Sequence, residues 1–179
     1  MNKAVFLDRD GVLIEDVHYL SRVEDVKFLS GIPDAIKQIN QLGYLAILIT
    51  NQSVIARGHC SEENLHKIHE YMVNYLTQAG ARLDAIYYCP HHPDFEYKSV
   101  SICDCRKPGT LLVDKAVERF NIDVNQSYFV GDKESDIQCG FNAGLTTVGV
   151  KTGYGCVCKT YLPNFHVNDL VEFCSLLHK

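Results

Sequence analysis

The sequence predicts an α/β protein built on a parallel sheet with helices on both of its faces. Short and almost wholly apolar runs alternate along the 179 residues with longer segments whose apolar residues recur at helical spacing. Strands that are buried on both faces read as continuous apolar runs, whereas half-buried strands alternate apolar and polar residues. The runs here are continuous, so we expect parallel strands.

Five segments have this continuous apolar character and are the predicted strands. They are residues 4–7, 45–49, 85–88, 128–130 and 146–150. The stretches between them are long enough for the crossover helices that parallel strands need.

The predicted helices lie in those stretches. The first, 32–42, carries its apolar residues as one stripe and is followed by Gly43 as a stop signal. Ser61 can cap a second, long helix that ends near Gly80. The remaining helices are expected at 111–120, 135–143 and about 168–177, the last after a closing strand beyond residue 153.

Composition narrows the functional classes. The net charge is -5 and the pI is about 5.9. A nucleic-acid-binding protein usually has a basic patch, whereas the longest basic run here is Arg106-Lys107, so we expect no nucleic-acid partner. The first apolar run is too short for a signal peptide or a membrane span, which predicts a cytoplasmic protein without a membrane partner. The length suits one domain over residues 1–179, and we expect a monomer.

Acidic and hydroxyl side chains follow three of the predicted strands. Asp8 and Asp10 come after the first strand, Thr50 after the second, and Asp132 and Asp136 after the fourth. Ligands of doubly wound sheets bind at the carboxyl ends of the strands, so we expect these side chains to meet. Several carboxylates in one place repel one another unless a cation lies between them, and their oxygen ligands suit Mg²⁺.

The same residues have the chemistry of phosphoryl transfer. One carboxylate of the Asp8-x-Asp10 pair can attack phosphorus while the other handles the proton of the leaving group. Hydroxyl and amide groups in segment 50–53 can bind phosphate oxygens. Lys107, which follows the third strand and its loop, can neutralise charge that develops on the transferred group.

The loop 89–105 has the ligands of a structural zinc site. Two close pairs of cysteine and histidine flank it, and its own apolar content is too low for it to pack without a metal. The predicted zinc ligands are Cys89, His91, Cys103 and Cys105, with His92 as an alternative to His91. Cys156-x-Cys158 has no second pair nearby and is interpreted as incidental, with weak metal binding or oxidation as the alternative.

In four ordered segments, the chain resembles the haloacid dehalogenase superfamily. They are Asp8-Arg9-Asp10-Gly11-Val12, Thr50-Asn51-Gln52-Ser53, Lys107-Pro108 and Gly131-Asp132-x-x-x-Asp136. The resemblance implies a Rossmann-like, three-layer α/β/α fold with a mostly parallel sheet. No insertion of the size of a large cap domain is evident, so the cavity is expected to be fairly open.

The resemblance also implies roles for residues. Asp8 would be the nucleophile that forms an aspartyl-phosphate, Asp10 the general acid and base, and Thr50 and Lys107 the groups that hold the phosphoryl group. The Mg²⁺ ligands would be Asp8, the backbone carbonyl of Asp10, and Asp132. Asp136 is expected to orient Lys133 or a metal-bound water.

The zinc loop narrows the resemblance further. Segments 50–58, 89–93 and 103–108 are similar to the family of D-glycero-D-manno-heptose 1,7-bisphosphate 7-phosphatases, with histidinol-phosphate phosphatase domains as near relatives. This similarity implies a small phosphorylated sugar as substrate, in a pathway to lipopolysaccharide or surface glycans. The implied substrate-binding residues are Asp16, Val17, His18, Tyr19, Asn51, Gln52, Ser53, Arg106 and Lys133.

Two departures from that family bear on the substrate. Val54 stands where the family usually has glycine, and the turn 107–110 is shorter than the usual Lys-Pro-x-Pro-Gly stretch. Among the other histidines, we expect His59, His66 and His69 to be solvated.

Three alternatives remain. A histidinol-phosphate phosphatase would share fold and chemistry and differ only in the pocket. A receiver-type phosphoacceptor domain also uses a nucleophilic aspartate with Mg²⁺, but takes it from its third strand. A catalytically silent zinc scaffold would not need the intact acidic set.

Overall fold

The computed structural model describes residues 1–100 and 103–177. Six strands form one sheet in the order β3-β2-β1-β4-β5-β6, and every neighbouring pair is parallel. The strands are β1 Lys3–Leu7, β2 Tyr44–Asn51, β3 Ala85–Cys89, β4 Tyr128–Gly131, β5 Thr146–Val150 and β6 Phe165–Val167. The parallel α/β prediction is therefore confirmed.

Five helices cover the two faces of this sheet. They are α1 Ile32–Gln41, α2 Glu62–Gln78, α3 Leu111–Phe120, α4 Glu134–Asn142 and α5 Leu170–Leu176. Helices α1, α2 and α5 pack against one face and α3 and α4 against the other, which makes three layers. Val5 and Leu7 of β1 contribute to the first core and Ala4 and Phe6 to the second, as expected of side chains that alternate across a strand.

The predicted elements agree with the observed ones to within a few residues. Strand β2 is longer than expected because it continues through Thr50 and Asn51. Helix α4 begins at Glu134, and the Ser61 hydroxyl accepts a hydrogen bond from Asn64 N at 3.1 Å as the cap of α2. The closing strand and helix are β6 and α5.

Two loops border the carboxyl edge of the sheet. The first joins β1 to α1 and contains one 3-10 turn, Val23–Asp25, and the second joins β3 to α3. Within the described residues neither loop contains a separate cap domain. Among those residues, no helix combines the length and apolarity needed to cross a membrane.

The register of the sheet places the chemistry at one edge. Leu7 pairs with Leu48 of β2 and with Val130 of β4, so the ends of these three strands lie side by side. Asp8, the residue after β1, therefore lies between the polar residues that end β2 and those that follow β4.

Candidate active site

A buried lysine ties the ends of three segments together. Lys107 Nζ lies 2.7 Å from Asp8 Oδ1 and 2.7 Å from Asp136 Oδ1, and it donates to the carbonyl oxygen of Ile49 at 2.8 Å. All three charged residues are at most 4% exposed. Burial alone would lower the pKa of Lys107, but the carboxylates of Asp136 and Asp8 raise it above its ordinary value. The ammonium is therefore held charged beside Asp8.

Asp132 lies in the same group but has fewer partners. Its Oδ2 accepts from the backbone N–H of Tyr154 at 2.8 Å, whereas its fully buried Oδ1 has no hydrogen-bond partner among residues 1–100 and 103–177. Burial and the nearby charge of Asp8 raise the pKa of Asp132 to about 7. A buried carboxylate oxygen without a donor is costly in water-free surroundings.

Two glycines make the space around this carboxylate. Gly11 and Gly153 both have positive φ, 81° and 60°, and a Cβ on either would collide with Asp132 Oδ2. Oxygens of Asp8, Asp132 and Asp136 lie within 4.8 Å of one another. The orphaned oxygen, the oxygen-only donor set and the surplus of negative charge fit a hard divalent cation such as Mg²⁺.

Asp136 contacts the backbone of Lys133 and pairs with the ammonium of Lys107. Its Oδ2 accepts from the backbone N–H of Lys133 at 3.0 Å, which caps α4, and its Oδ1 pairs with Lys107. The Lys133 ammonium instead lies 3.4 Å from Asp16 Oδ2. Asp136 thus orients Lys107, while Lys133 is held by the loop after β1.

Arg9 belongs to the site, although sequence reasoning did not select it. Its side chain is 1% exposed and donates from Nη2 to Asp10 at 3.0 Å and to Gln52 Oε1 at 2.8 Å. Gln52 Nε2 in turn donates to Asp10 Oδ2 at 3.0 Å and to Thr50 Oγ1 at 2.8 Å. The signal available in the sequence was its position between the two aspartates. Asp10 is consequently held by two donors in a fixed direction.

His69, on α2, contacts the Arg9 side chain that donates to Asp10. The expectation that His69 is solvated was wrong, because it is 6% exposed and its Nε2 lies 3.4 Å from Arg9 Nη1. Burial, with a smaller effect of the Arg9 charge, lowers the pKa of His69 to about 3. The imidazole is therefore neutral at physiological pH and can accept from Arg9.

A cavity of about 130 Å³ opens beside Asp10. Eight of the nine residues expected to bind substrate line this cavity, in three groups: Asp16, Val17, His18 and Tyr19; Asn51, Gln52 and Ser53; and Lys133. Arg9, Asp10, Leu20 and Val54 complete its lining. Arg106 is not in the lining; its Nη1 donates to the carbonyl of His91 at 3.1 Å.

The wall formed by residues 16–19 has an uncommon backbone. His18 and Tyr19 both have positive φ, 42° and 48°, a conformation that non-glycine residues adopt rarely. Asp16 Oδ1 accepts from His18 N at 3.1 Å and so fixes this turn. The Tyr19 ring lies 4.8 Å from that of His59, measured between centroids. The wall is thus tied to the segment after β2.

Val54 lines one side of the cavity although the residue is almost fully buried. It is 4% exposed and belongs to a small apolar cluster with Ile55, Cys60 and Leu65. The residue that stands in place of the family's usual glycine is therefore part of both the cavity lining and this cluster.

The second loop brings four metal-binding side chains together. Cys89, which ends β3, lies next to His91, Cys103 and Cys105, and their closest S–S and S–N distances run from 3.1 to 3.6 Å. A tetrahedral zinc site with Zn–S bonds of about 2.3 Å places its ligand atoms about 3.7 Å apart, which these distances approach. His92 faces away, with Nε2 2.8 Å from Arg57 Nη2. Of the two histidines, His91 fits the site.

The fold and the site are those of a hydrolase of the haloacid dehalogenase type, with a buried aspartate directly after the first strand. A family model described as HAD-hydrolase-like matches residues 104–173. A solved structure of D,D-heptose 1,7-bisphosphate phosphatase from B. bronchiseptica, complexed with magnesium and phosphate, superimposes with a TM-score of 0.87 at 32% identity over 98% of each chain.

Sequence relatives narrow this class. A Haemophilus influenzae relative, named D-glycero-beta-D-manno-heptose-1,7-bisphosphate 7-phosphatase, is 42% identical over 154 residues, which are 86% of this chain and 84% of the relative. A Photorhabdus laumondii relative, named as the phosphatase of the alpha anomer, is 41% identical over 85% of this chain and 84% of its own length. The chain belongs to the D-glycero-D-manno-heptose-1,7-bisphosphate 7-phosphatase family of haloacid dehalogenase-like hydrolases. That membership excludes the receiver alternative.

The charge of Asp132 should destabilise the metal-free protein. Because its folded pKa is raised to about 7 above the ordinary 3.8, the unfolded chain is favoured as pH rises through this range. We expect Asp132→Asn to raise the free energy of unfolding in metal-free buffer at pH 8 by roughly 1–3 kcal/mol. Urea titrations would measure it. Asp34→Asn, at an exposed position in the first turn of α1, should give no such increase, because its charge already interacts favourably with the helix dipole. A destabilised Asp132→Asn protein would contradict the assignment.

Proposed function

We propose that this chain hydrolyses a phosphate monoester of a phosphorylated sugar through an aspartyl-phosphate on Asp8. The single observation that carries the proposal is the placement of Asp8, buried at the end of β1 and ion-paired with Lys107. The names of the relatives support the 7-phosphate of D-glycero-D-manno-heptose 1,7-bisphosphate as the scissile group. We further place the reaction in the cytoplasm, in the formation of a heptose for surface glycans.

In the first step a carboxylate oxygen of Asp8 attacks phosphorus in line with the departing sugar oxygen. The P–O bond to the sugar breaks, and Asp10 gives its proton to that oxygen. Arg9 and Gln52 hold the Asp10 carboxyl in a fixed direction, so no side-chain reorientation is needed at the moment of transfer.

In the second step water attacks the phosphorus of the aspartyl-phosphate. Asp10, now a carboxylate, takes the proton of that water, and Asp8 leaves as a free carboxylate. Lys107 stays charged because Asp136 pairs with its other side, so it can neutralise negative charge on the phosphoryl oxygens in both steps. The hydroxyl of Thr50 would donate to one of those oxygens.

Asp8, Asp132 and the backbone carbonyl of Asp10 would hold Mg²⁺. The bound ion would neutralise charge on the phosphoryl group and lessen the repulsion between Asp8 and an anionic substrate. The match to a solved relative that contains magnesium and phosphate supports this assignment. Asp136 would act through Lys107 and not as a ligand.

The sugar would lie in the cavity beside Asp10. Lys133 is the charged group that could contact its hydroxyl or second phosphate, and the ring of Tyr154 lies 4.4 Å from Lys133 Nζ and restricts its position. Ser53, Asn51 and the wall 16–19 offer hydrogen-bonding groups of the kind that sugars require. Arg106 would complete the set from the rim, beside the loop of the cysteine cluster.

Zn²⁺ would be bound by Cys89, His91, Cys103 and Cys105. A closed four-ligand site of this type supplies folding free energy and takes no part in chemistry. Cys105 precedes Lys107 by two residues, so the ion would fix the chain that carries both Arg106 and Lys107.

The first experiment measures phosphate release in Mg²⁺ from both anomers of the heptose bisphosphate and from histidinol phosphate. We expect one anomer of the bisphosphate to have the highest kcat/KM. Asp8→Asn should lower the rate by roughly three orders of magnitude or more, because it removes the nucleophile. If histidinol phosphate is preferred, the sugar assignment fails; if Asp8→Asn stays active, the mechanism fails.

The role of Arg9 is tested through its neighbour His69. His69→Leu removes the acceptor for Arg9 Nη1, so the Asp10 fork should loosen and kcat should fall by roughly tenfold with little change in KM. His69→Gln offers an amide oxygen instead and should restore most of the rate. His66→Leu, on the same helix but bonded to Tyr88, is the matched control. Equal loss in the Leu and Gln variants would argue against an acceptor role.

The zinc assignment predicts about one metal ion per chain by atomic absorption. Cys105→Ser should release it and lower both the melting temperature and kcat, since the segment that carries Lys107 loses its anchor. Cys60→Ser, a buried cysteine outside the cluster, should keep the ion. A wild-type protein that folds and works without zinc would disprove the assignment.

A further inference from the structure

The turn after β5 contains two cysteines that the proposed reaction does not use. Cys156 is 2% exposed and Cys158 is half-buried, and their Sγ atoms lie 2.7 Å apart. The backbone bends sharply between them: Cys156 has a φ of 46°, and Cys158 N donates to the carbonyl of Cys156 at 2.8 Å. The sequence pattern, which we interpreted as incidental, is therefore a close pair in space.

The distance of 2.7 Å between the two Sγ atoms lies between a non-bonded contact and a covalent bond. It is shorter than the roughly 3.5–4.0 Å at which non-bonded heavy atoms rest, and a covalent S–S bond needs about 2.05 Å. The pair does not fit a metal site, because neither cysteine belongs to a group of three or more metal-binding side chains within the described part of the chain. Oxidation would need sulfur movement of less than an ångström.

The surroundings of the two sulfurs are unequal. Cys156 Sγ packs against β5 so closely that a Cβ on Gly149 would lie 2.6 Å from it, and Pro163 lies on the same side. Cys158 is the partner with access to solvent. A bulky oxidant can therefore reach Cys158 first, while Cys156 is placed to resolve the adduct.

The same turn holds Asp132. Cys156 N donates to the carbonyl oxygen of Asp132 at 2.7 Å, and Tyr154 N donates to its side-chain Oδ2 at 2.8 Å. Because Cys156 is already fixed by these bonds and by packing, the movement needed for an S–S bond falls on Cys158. Asp132 would keep both donors.

We propose that Cys156 and Cys158 are a reversible modification site that forms a disulfide with a low-molecular-weight disulfide as the oxidant, and that this bond staples the turn without disabling the active site. Burial raises the pKa of both thiols, so each must lose its proton to solvent before it reacts. The Cys158 thiolate attacks one sulfur of the oxidant, whose S–S bond breaks, and the small thiolate that leaves takes up a proton. The Cys156 thiolate then attacks the Cys158 sulfur of the mixed disulfide and displaces the second small thiolate, which is also protonated, so two protein thiols are oxidised and one oxidant disulfide is reduced.

The test uses the full-length, zinc-loaded protein and oxidised glutathione. Trypsin cuts after Lys151 and Lys159, so both sulfurs fall in one peptide, 152–159, which contains none of the other six cysteines. We expect this peptide to lose about 2 Da, the mass of the two hydrogens removed in disulfide formation, and to regain it with dithiothreitol. The proposal would be overturned if this peptide still contained two free thiols under conditions in which another pair of cysteines in the protein is fully oxidised.

Single variants test the order of attack. Cys156→Ser should accumulate a glutathione adduct on Cys158, which has no partner to resolve it. Cys158→Ser should take up no adduct, because Cys156 is buried. An adduct on Cys156 in the Cys158→Ser protein would contradict the assigned order.

Stability and activity test the consequence. The oxidised wild type should melt roughly 2–5 °C higher than the reduced protein, because the bond closes a short loop in the unfolded chain, and Cys158→Ser should show no such shift. Phosphatase activity should be the same in both states, with the zinc content measured alongside to detect damage to the other cluster. The second half of the proposal would be overturned if the oxidised wild type lost activity while it kept its zinc, and if Cys158→Ser lost no activity under the same treatment. That result would show that the bond displaces the donors of Asp132.

Discussion

The site is organised by the cost of burying carboxylates. Asp8, Asp132 and Asp136 are all at most 4% exposed and have oxygens within 4.8 Å of one another, an arrangement that is stable only with compensating positive charge. Lys107 compensates two of them through contacts of 2.7 Å. Asp132 is left with one buried oxygen that none of the described residues contacts by a hydrogen bond. The negative charge at that oxygen is not compensated by a protein cation, which is the physical reason to expect a divalent metal there. The same charge is unfavourable for folding and favourable for metal binding.

Two features of the structure hold Lys107 in that position. It arrives from a loop with few apolar residues, so the loop needs its own support. The cluster of Cys89, His91, Cys103 and Cys105 connects the end of β3 to the residues just before Lys107. In addition, Asn51 Oδ1 accepts from Lys107 N at 3.0 Å, and Asn51 Nδ2 donates to its carbonyl at 3.1 Å. The cysteine–histidine cluster and one strand-end amide thus hold the chain at Lys107 from two sides.

The two groups of neighbouring cysteines differ in how their sulfurs are arranged. The zinc-type cluster is a closed set of four ligands, whereas Cys156 and Cys158 are two sulfurs on a turn that also donates to Asp132. In the proposed scheme, oxidation of the two thiols does not disturb Asp132. The turn contacts Asp132 through backbone N–H groups, which take no part in disulfide formation.

The sequence by itself determined the layers, the sheet direction and the positions of the acidic residues, because continuous apolar runs require two-sided burial and parallel strands place their carboxyl ends at one edge. It also selected the four cysteine and histidine residues that meet. Only the tertiary structure decided that Asp136 faces Lys107, that His91 and not His92 joins the cysteines, and that Arg9 and His69 are buried around Asp10. These facts depend on side-chain directions between segments as distant as 60 residues, which no local pattern encodes.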